Sequence, residues 1–126
     1  YSLLDTRPEA YVGELREQGV SILARGAFAQ GLLLNKPAKD YLQHSQAQVE
    51  KIANWVSEIA KQEGVSKETV ALAYLLQRQQ VTAAVVGIRT VTHLRDLIKA
   101  TQEMASFSLD TYELPIPALL YQDHVD

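Results

Sequence analysis

Between Ser45 and Glu63 the apolar residues Val49, Ile52, Trp55, Val56 and Ile59 return every three or four positions. That is the spacing of one buried helix face, and Gly64 closes the run. Ser66 follows at once as the N-cap of a second helix, Lys67 to Gln79, in which Val70, Ala71, Leu72, Ala73, Leu75 and Leu76 occupy most of the circumference. A helix apolar on nearly all sides is expected to be buried on nearly all sides. Thr82 to Val86 show a different pattern, a short apolar and β-branched run without alternation, as in a strand covered on both faces of a parallel sheet. Gly87 breaks it. Thr90 or Thr92 then caps a last helix in which Leu94, Leu97, Ile98 and Thr101 fall at helical spacing.

Upstream, Tyr1 to Leu4 read as the end of a strand. A helix is expected next, with Thr6 as N-cap, Pro8 in the first turn, Glu9 as capping-box partner, and Gly19 just beyond its end at Gln18. Val20 to Ala24 form the following strand. Gly26 and Gly31 flank a turn that runs from Arg25 to Leu33, and a polar stretch, Asn35 to Asp40, makes this connection longer than joining two elements requires. Beyond Ser106 a short helix is expected over Leu109 to Leu114, ended by Pro115 and Pro117, with an irregular tail. The order of strand end, helix, strand, helix, helix, strand, helix predicts an α/β fold with a parallel sheet joined by right-handed crossovers. Two or three such strands leave an open edge on each side. Further strands are therefore expected from outside this chain.

Composition narrows the class without altering this picture. The 126 residues carry a formal net charge of -3 with both signs mixed along the chain, which speaks against a nucleic-acid or anionic-membrane surface. Without cysteine there are no disulfides, thiolate metal sites or thiol nucleophiles. No apolar run approaches the roughly 20 residues that span a bilayer. A soluble, cytoplasmic protein is expected. The chain opens at Tyr1 inside an apolar run, so it is also expected to be a fragment.

The stretch VTAAVVGIRTVTHLRDLIKA, Val81 to Ala100, is the first candidate for chemistry. A strand feeding a helix through a short turn brings backbone N–H groups, the positive end of the helix dipole and Arg89 to one spot, which favours an anion. The same turn also occurs in α/β proteins that bind nothing there.

Three stretches together resemble the C-terminal half of an aldo/keto reductase: YSLLDTRPE at 1–9, ILARGAFAQGLL at 22–33, and GVSKETVALAYLL through VVGIRTVTHLRDLIKA at 64–100. The resemblance implies a single partial domain over residues 1–126, running from the end of strand six through helix eight and the tail of a (β/α)8 TIM barrel. It implies NADP(H) held in extended form at the C-terminal face, in keeping with the lack of a GxGxxG motif, and a small carbonyl substrate. Carried over by position, Gly26, Phe28 and Gln30 would line the nicotinamide and pyrophosphate, Arg25 would either contact the cofactor at the nicotinamide ring or be a solvent-facing or salt-bridged arginine, and Lys36 would add a phosphate contact. Gly87, Arg89, His93 and Asp96 would hold the adenosine and its 2'-phosphate, with Arg89 and a protonated His93 on the phosphate and Asp96 on the adenine amino group. The chain departs from the family at Arg25, where an aromatic residue is usual, at Ala27 in place of proline, and at Leu97 in place of asparagine. The family's catalytic Asp, Tyr, Lys and His belong to the first half of the barrel, so no catalytic residue is assigned. His44 and His124 are read as surface residues, and Trp55 and Tyr74 as packing residues. The resemblance thus implies an oxidoreductase parent, an inactive fragment and a fragment that forms homo-oligomers. Two alternatives stand beside it: a non-catalytic regulatory or cofactor-binding subunit similar to potassium-channel beta subunits, and a small self-associating α/β domain.

Overall fold

The computed structural model describes residues 1–115. Its elements are α1 (Glu9–Glu17), β1 (Leu23–Arg25), a 3-10 turn (Ala29–Gly31), α2 (Gln46–Glu63), α3 (Lys67–Leu76), β2 (Ala83–Val85) and α4 (Val91–Glu103). The expected Leu109–Leu114 helix is instead a turn, closed by the Tyr112 N–H donating to Leu109 at 3.1 Å. Pro117, His124 and most of the tail lie outside the described residues.

The fold is assembled around α3. Every residue from Thr69 to Leu75 is buried, as its nearly all-round apolar sequence requires, with α2 and α4 on its flanks and β2 against it. It stops at Leu76, earlier than expected. There the Gln77 side chain takes the Leu109 N–H at 2.8 Å and donates to the Phe107 carbonyl, which ties the C-terminal segment to the helix end. The α2 helix follows its sequence closely. Ser45 and Gln48 form a reciprocal capping box, Gly64 ends the helix at φ 66°, and Val49, Ile52, Val56 and Ile59 face the core. Trp55 is half-buried beside them, edge-on to Tyr112 with centroids 6.5 Å apart. Thr90 rather than Thr92 caps α4, accepting from His93 at 3.1 Å.

Among the described residues, β1 and β2 form a two-stranded parallel sheet in the register Leu23↔Ala83, Ala24↔Ala84, Arg25↔Val85. Thr82 fixes its entrance. Its N–H donates to the Ile22 carbonyl at 2.8 Å, and its hydroxyl accepts from the Ile22 N–H at 2.9 Å and from Arg16 at 3.2 Å. Alternation then divides the faces. Ala24 points to the helices and is buried, whereas Leu23 is 65 % and Val85 56 % exposed on the opposite face. The expected two-sided burial of β2 is thus corrected: among the described residues no layer covers the face that would look into a barrel.

Other expectations also change. Tyr1–Leu4 belongs to a tight turn, not a strand, because Ser2 and Asp5 exchange backbone bonds at 3.0 and 3.1 Å while the Ser2 hydroxyl takes the Leu4 N–H. Thr6 does not stand at the capping position of α1. The capping position falls at Pro8, and the Glu9 carboxylate is occupied by the Tyr1 hydroxyl at 3.1 Å, the Tyr74 hydroxyl at 2.9 Å and an ion pair with Arg78. On α4 the inward positions are Leu97, Ala100 and Met104, so Leu94 and Ile98 face outward and are exposed. His44 is not a surface residue. It is buried, with Nε2 3.0 Å from the Leu4 carbonyl.

Candidate cofactor-binding cleft

The C-terminal ends of parallel strands are where α/β proteins place ligands, and both strands here end beside one cleft of about 760 Å³. One wall is the loop after β1. Gly26, at φ 83°, turns the chain out of the strand, and Ala29, Gln30 and Gly31 all follow in the left-handed region at φ 48°, 60° and 92°. Two of these three carry side chains, so the conformation is costly for them. Leu32 and Leu33 then bury their side chains and hold the loop to the core. At Gly31 a Cβ would stand 3.0 Å from Lys36 Cδ. The glycine therefore lets the Lys36 stem lie across the loop, and the Lys36 N–H donates to the Gly31 carbonyl at 3.2 Å.

The other wall comes from β2 and the start of α4. Arg89, His93, Asp96 and Leu97 line it together with Gly87, and the positive end of the α4 dipole points the same way. Thus Gly26, Phe28, Gln30, Lys36, Gly87, Arg89, His93 and Asp96, which come from two separated stretches of sequence, border a single cavity. Arg25 is the exception. It closes β1 with an exposed side chain outside the cleft lining, and its carbonyl accepts from the Tyr1 ammonium at 2.8 Å. Sequence reasoning missed Asn35 and Glu68, which also face the cleft. Glu68 was legible only as a first-turn acid of α3, a common helix feature.

The residues present fit a phosphorylated nicotinamide cofactor. Lys36 and Arg89 bring basic side chains to the cleft from opposite walls, and Phe28 and Leu97 add apolar surface. Among the described residues, a Cβ built on Gly87 meets nothing within 4 Å. Asp96 and Glu68 add acceptors, which suits a ligand with donors as well as phosphates.

With this geometry in place, the comparisons with known proteins are direct. The model of the aldo/keto reductase family matches residues 1–114. The chain is 34% identical over 114 residues to the uncharacterized oxidoreductase YrpG of Bacillus subtilis (strain 168), covering 81% of this chain and 34% of that protein. It is 30% identical over 109 residues to the uncharacterized oxidoreductase YqkF of the same organism, covering 79% of this chain and 35% of that protein. Among solved structures, the holo form of aldo-keto reductase AKR11C1 from Bacillus halodurans superposes with a TM-score of 0.74 at 23% identity, over 100% of this chain and 44% of that one. Its apo form gives 0.68 at 26% identity, over 86% and 37%. The chain belongs to the aldo/keto reductase family and has the fold of part of its TIM barrel. It spans about a third of the length of the curated relatives it matches.

Proposed function

We propose that this chain is the cofactor-holding portion of an NADP(H)-dependent oxidoreductase that reduces a small aldehyde or ketone, from the end of the sixth barrel strand through the eighth helix and the tail. The observation that carries the reading is the meeting of Lys36 from one wall and Arg89 from the other in one cleft, with open space at Gly87. Held there, a reduced nicotinamide would supply the hydride for a carbonyl carbon. Arg89 and Lys36 hold phosphate charge, Phe28 and Leu97 exclude water from the cleft walls, and Asp96 accepts from an amino group. The proton for the reduced oxygen comes from an acid outside this chain, so the chain by itself does not turn over.

The test is a cofactor titration of the full-length protein. A charge-assisted bond from Arg89 to a 2'-phosphate contributes about 1.5 to 3 kcal/mol, which sets a preference for NADPH over NADH of roughly 10-fold to 150-fold. Arg89→Glu removes the preference. Gly87→Val weakens both cofactors while leaving the thermal midpoint in place, because the new Cβ meets no atom of the described residues within 4 Å. Equal affinity for the two cofactors, or titrations unmoved by both substitutions, overturns the assignment.

A further inference from the structure

We propose that Lys67 is a positioning residue for this cleft: it clamps the Leu34–Lys36 arm of the long loop to the start of α3 and thereby sets the bearing of Lys36. The proposal rests on the cofactor reading above. Lys67 does not line the cleft, but Leu34, Asn35, Lys36 and its own neighbour Glu68 do. Its ammonium donates to the Leu34 carbonyl at 3.0 Å and to Asn35 Oδ1 at 3.2 Å, reaching across from the helix to the loop.

The position is wrong for a lysine on local grounds. Lys67 is the first residue of α3, at the positive end of the helix dipole, where a cation is repelled and an acid such as Glu68 is favoured. What the lysine holds accounts for it. The arm needs holding as well, because it leaves a run of three left-handed residues and its internal bonds converge on one acceptor. The N–H groups of Leu34 and Lys36 both donate to the Gly31 carbonyl, at 3.1 and 3.2 Å. Only the Lys67 bonds join the arm's polar groups to a buried, rigid helix among the described contacts. Without them, the Leu34–Lys36 arm, which lies between Leu33 and Ala38 on the core, keeps only its own bonds to the Gly31 carbonyl.

The experiment compares Lys67→Met, Lys67→Arg, Lys36→Met and the Lys67→Met/Lys36→Met pair in the full-length protein, reading NADPH affinity and hydrogen exchange at the Lys36 amide. Lys67→Met should weaken NADPH binding about tenfold and accelerate that exchange. Lys67→Arg should restore both, and the pair should bind no more weakly than Lys36→Met alone. Additive losses in the pair, or either readout unmoved by Lys67→Met in a protein that binds NADPH, overturn the clamp. If the unsubstituted protein binds no NADPH, the cofactor reading fails separately and exchange decides: faster exchange in Lys67→Met supports the clamp, and unchanged exchange overturns it.

Discussion

His44 shows how much a single residue can hide. Its neighbours Gln43 and Ser45 are polar and it stands before a helix, yet it is only 5 % exposed, because its partner is the Leu4 carbonyl 40 residues away. A carbonyl accepts and never donates, so the ring proton sits on Nε2. Burial pushes the imidazole below its ordinary value of 6.5, against the bond to Leu4 and the charge of Asp5, which pull it upward. The unfolded chain therefore takes up the proton first. The stability this residue contributes is complete above about pH 6.5 and is lost as pH falls through the lower folded value. A thermal midpoint that drops between about pH 7.5 and about pH 5.5 is expected, and His44→Gln, whose amide can donate to the same carbonyl, should flatten that part of the profile. A profile identical in the two proteins would remove His44 from the account.

At the scale of elements, the joint between α3 and α4 is the clearest unit. Glu103, near the end of α4, accepts from the Ser66 N–H at 2.8 Å, the Ser66 hydroxyl at 3.0 Å and the Thr69 hydroxyl, while Lys99 stands 3.6 Å from its other oxygen. Burial raises its carboxyl, but the bonds from Ser66 and Thr69, with Lys99, outweigh that and hold it below the ordinary 4.5. Its contribution is present above that value and is lost as pH falls through the folded one. Glu103→Gln should melt earlier than the parent at neutral pH and converge with it in acid. Ser66→Ala should cost about 1 kcal/mol from the helix cap alone, read by denaturant unfolding. The caps at Ser66 and Thr90 were legible because their signals lie within a few residues of one another. Strand burial was not legible in the same way, since whether Val85 is covered depends on a layer that local spacing does not encode. The cleft was legible through the family resemblance at its loops. Lys67 and Glu68 escaped because a charged pair at a helix start looks like an ordinary solvated turn.

At the scale of the molecule, among the described residues one sheet face lies open, the outer flank of α4 exposes Val91, Leu94 and Ile98, and α1 exposes Tyr11 and Leu15. Each stripe has the spacing of a helix face meant to pack. Among the described residues, the outer edges of β1 and β2 have no further strand beside them. This chain alone should therefore self-associate, with an apparent mass that rises with concentration in light scattering, and should show no carbonyl-dependent NADPH oxidation. A monodisperse monomer throughout a dilution series, or turnover by the purified chain, would contradict the reading of an incomplete barrel.

The pairing of Trp55 with Tyr112 has a practical consequence. Trp55 is the single tryptophan of the chain, it lies outside the cleft lining, and its ring neighbour belongs to the C-terminal segment, whose Tyr112 hydroxyl reaches Glu63 of α2. Intrinsic emission from this chain is thus a built-in optical reporter of whether residues 106–115 are seated on α2. A red shift would signal that the segment has come away, while nucleotide entering the cleft would leave the indole spectrum largely undisturbed and must be followed by its own absorbance or fluorescence.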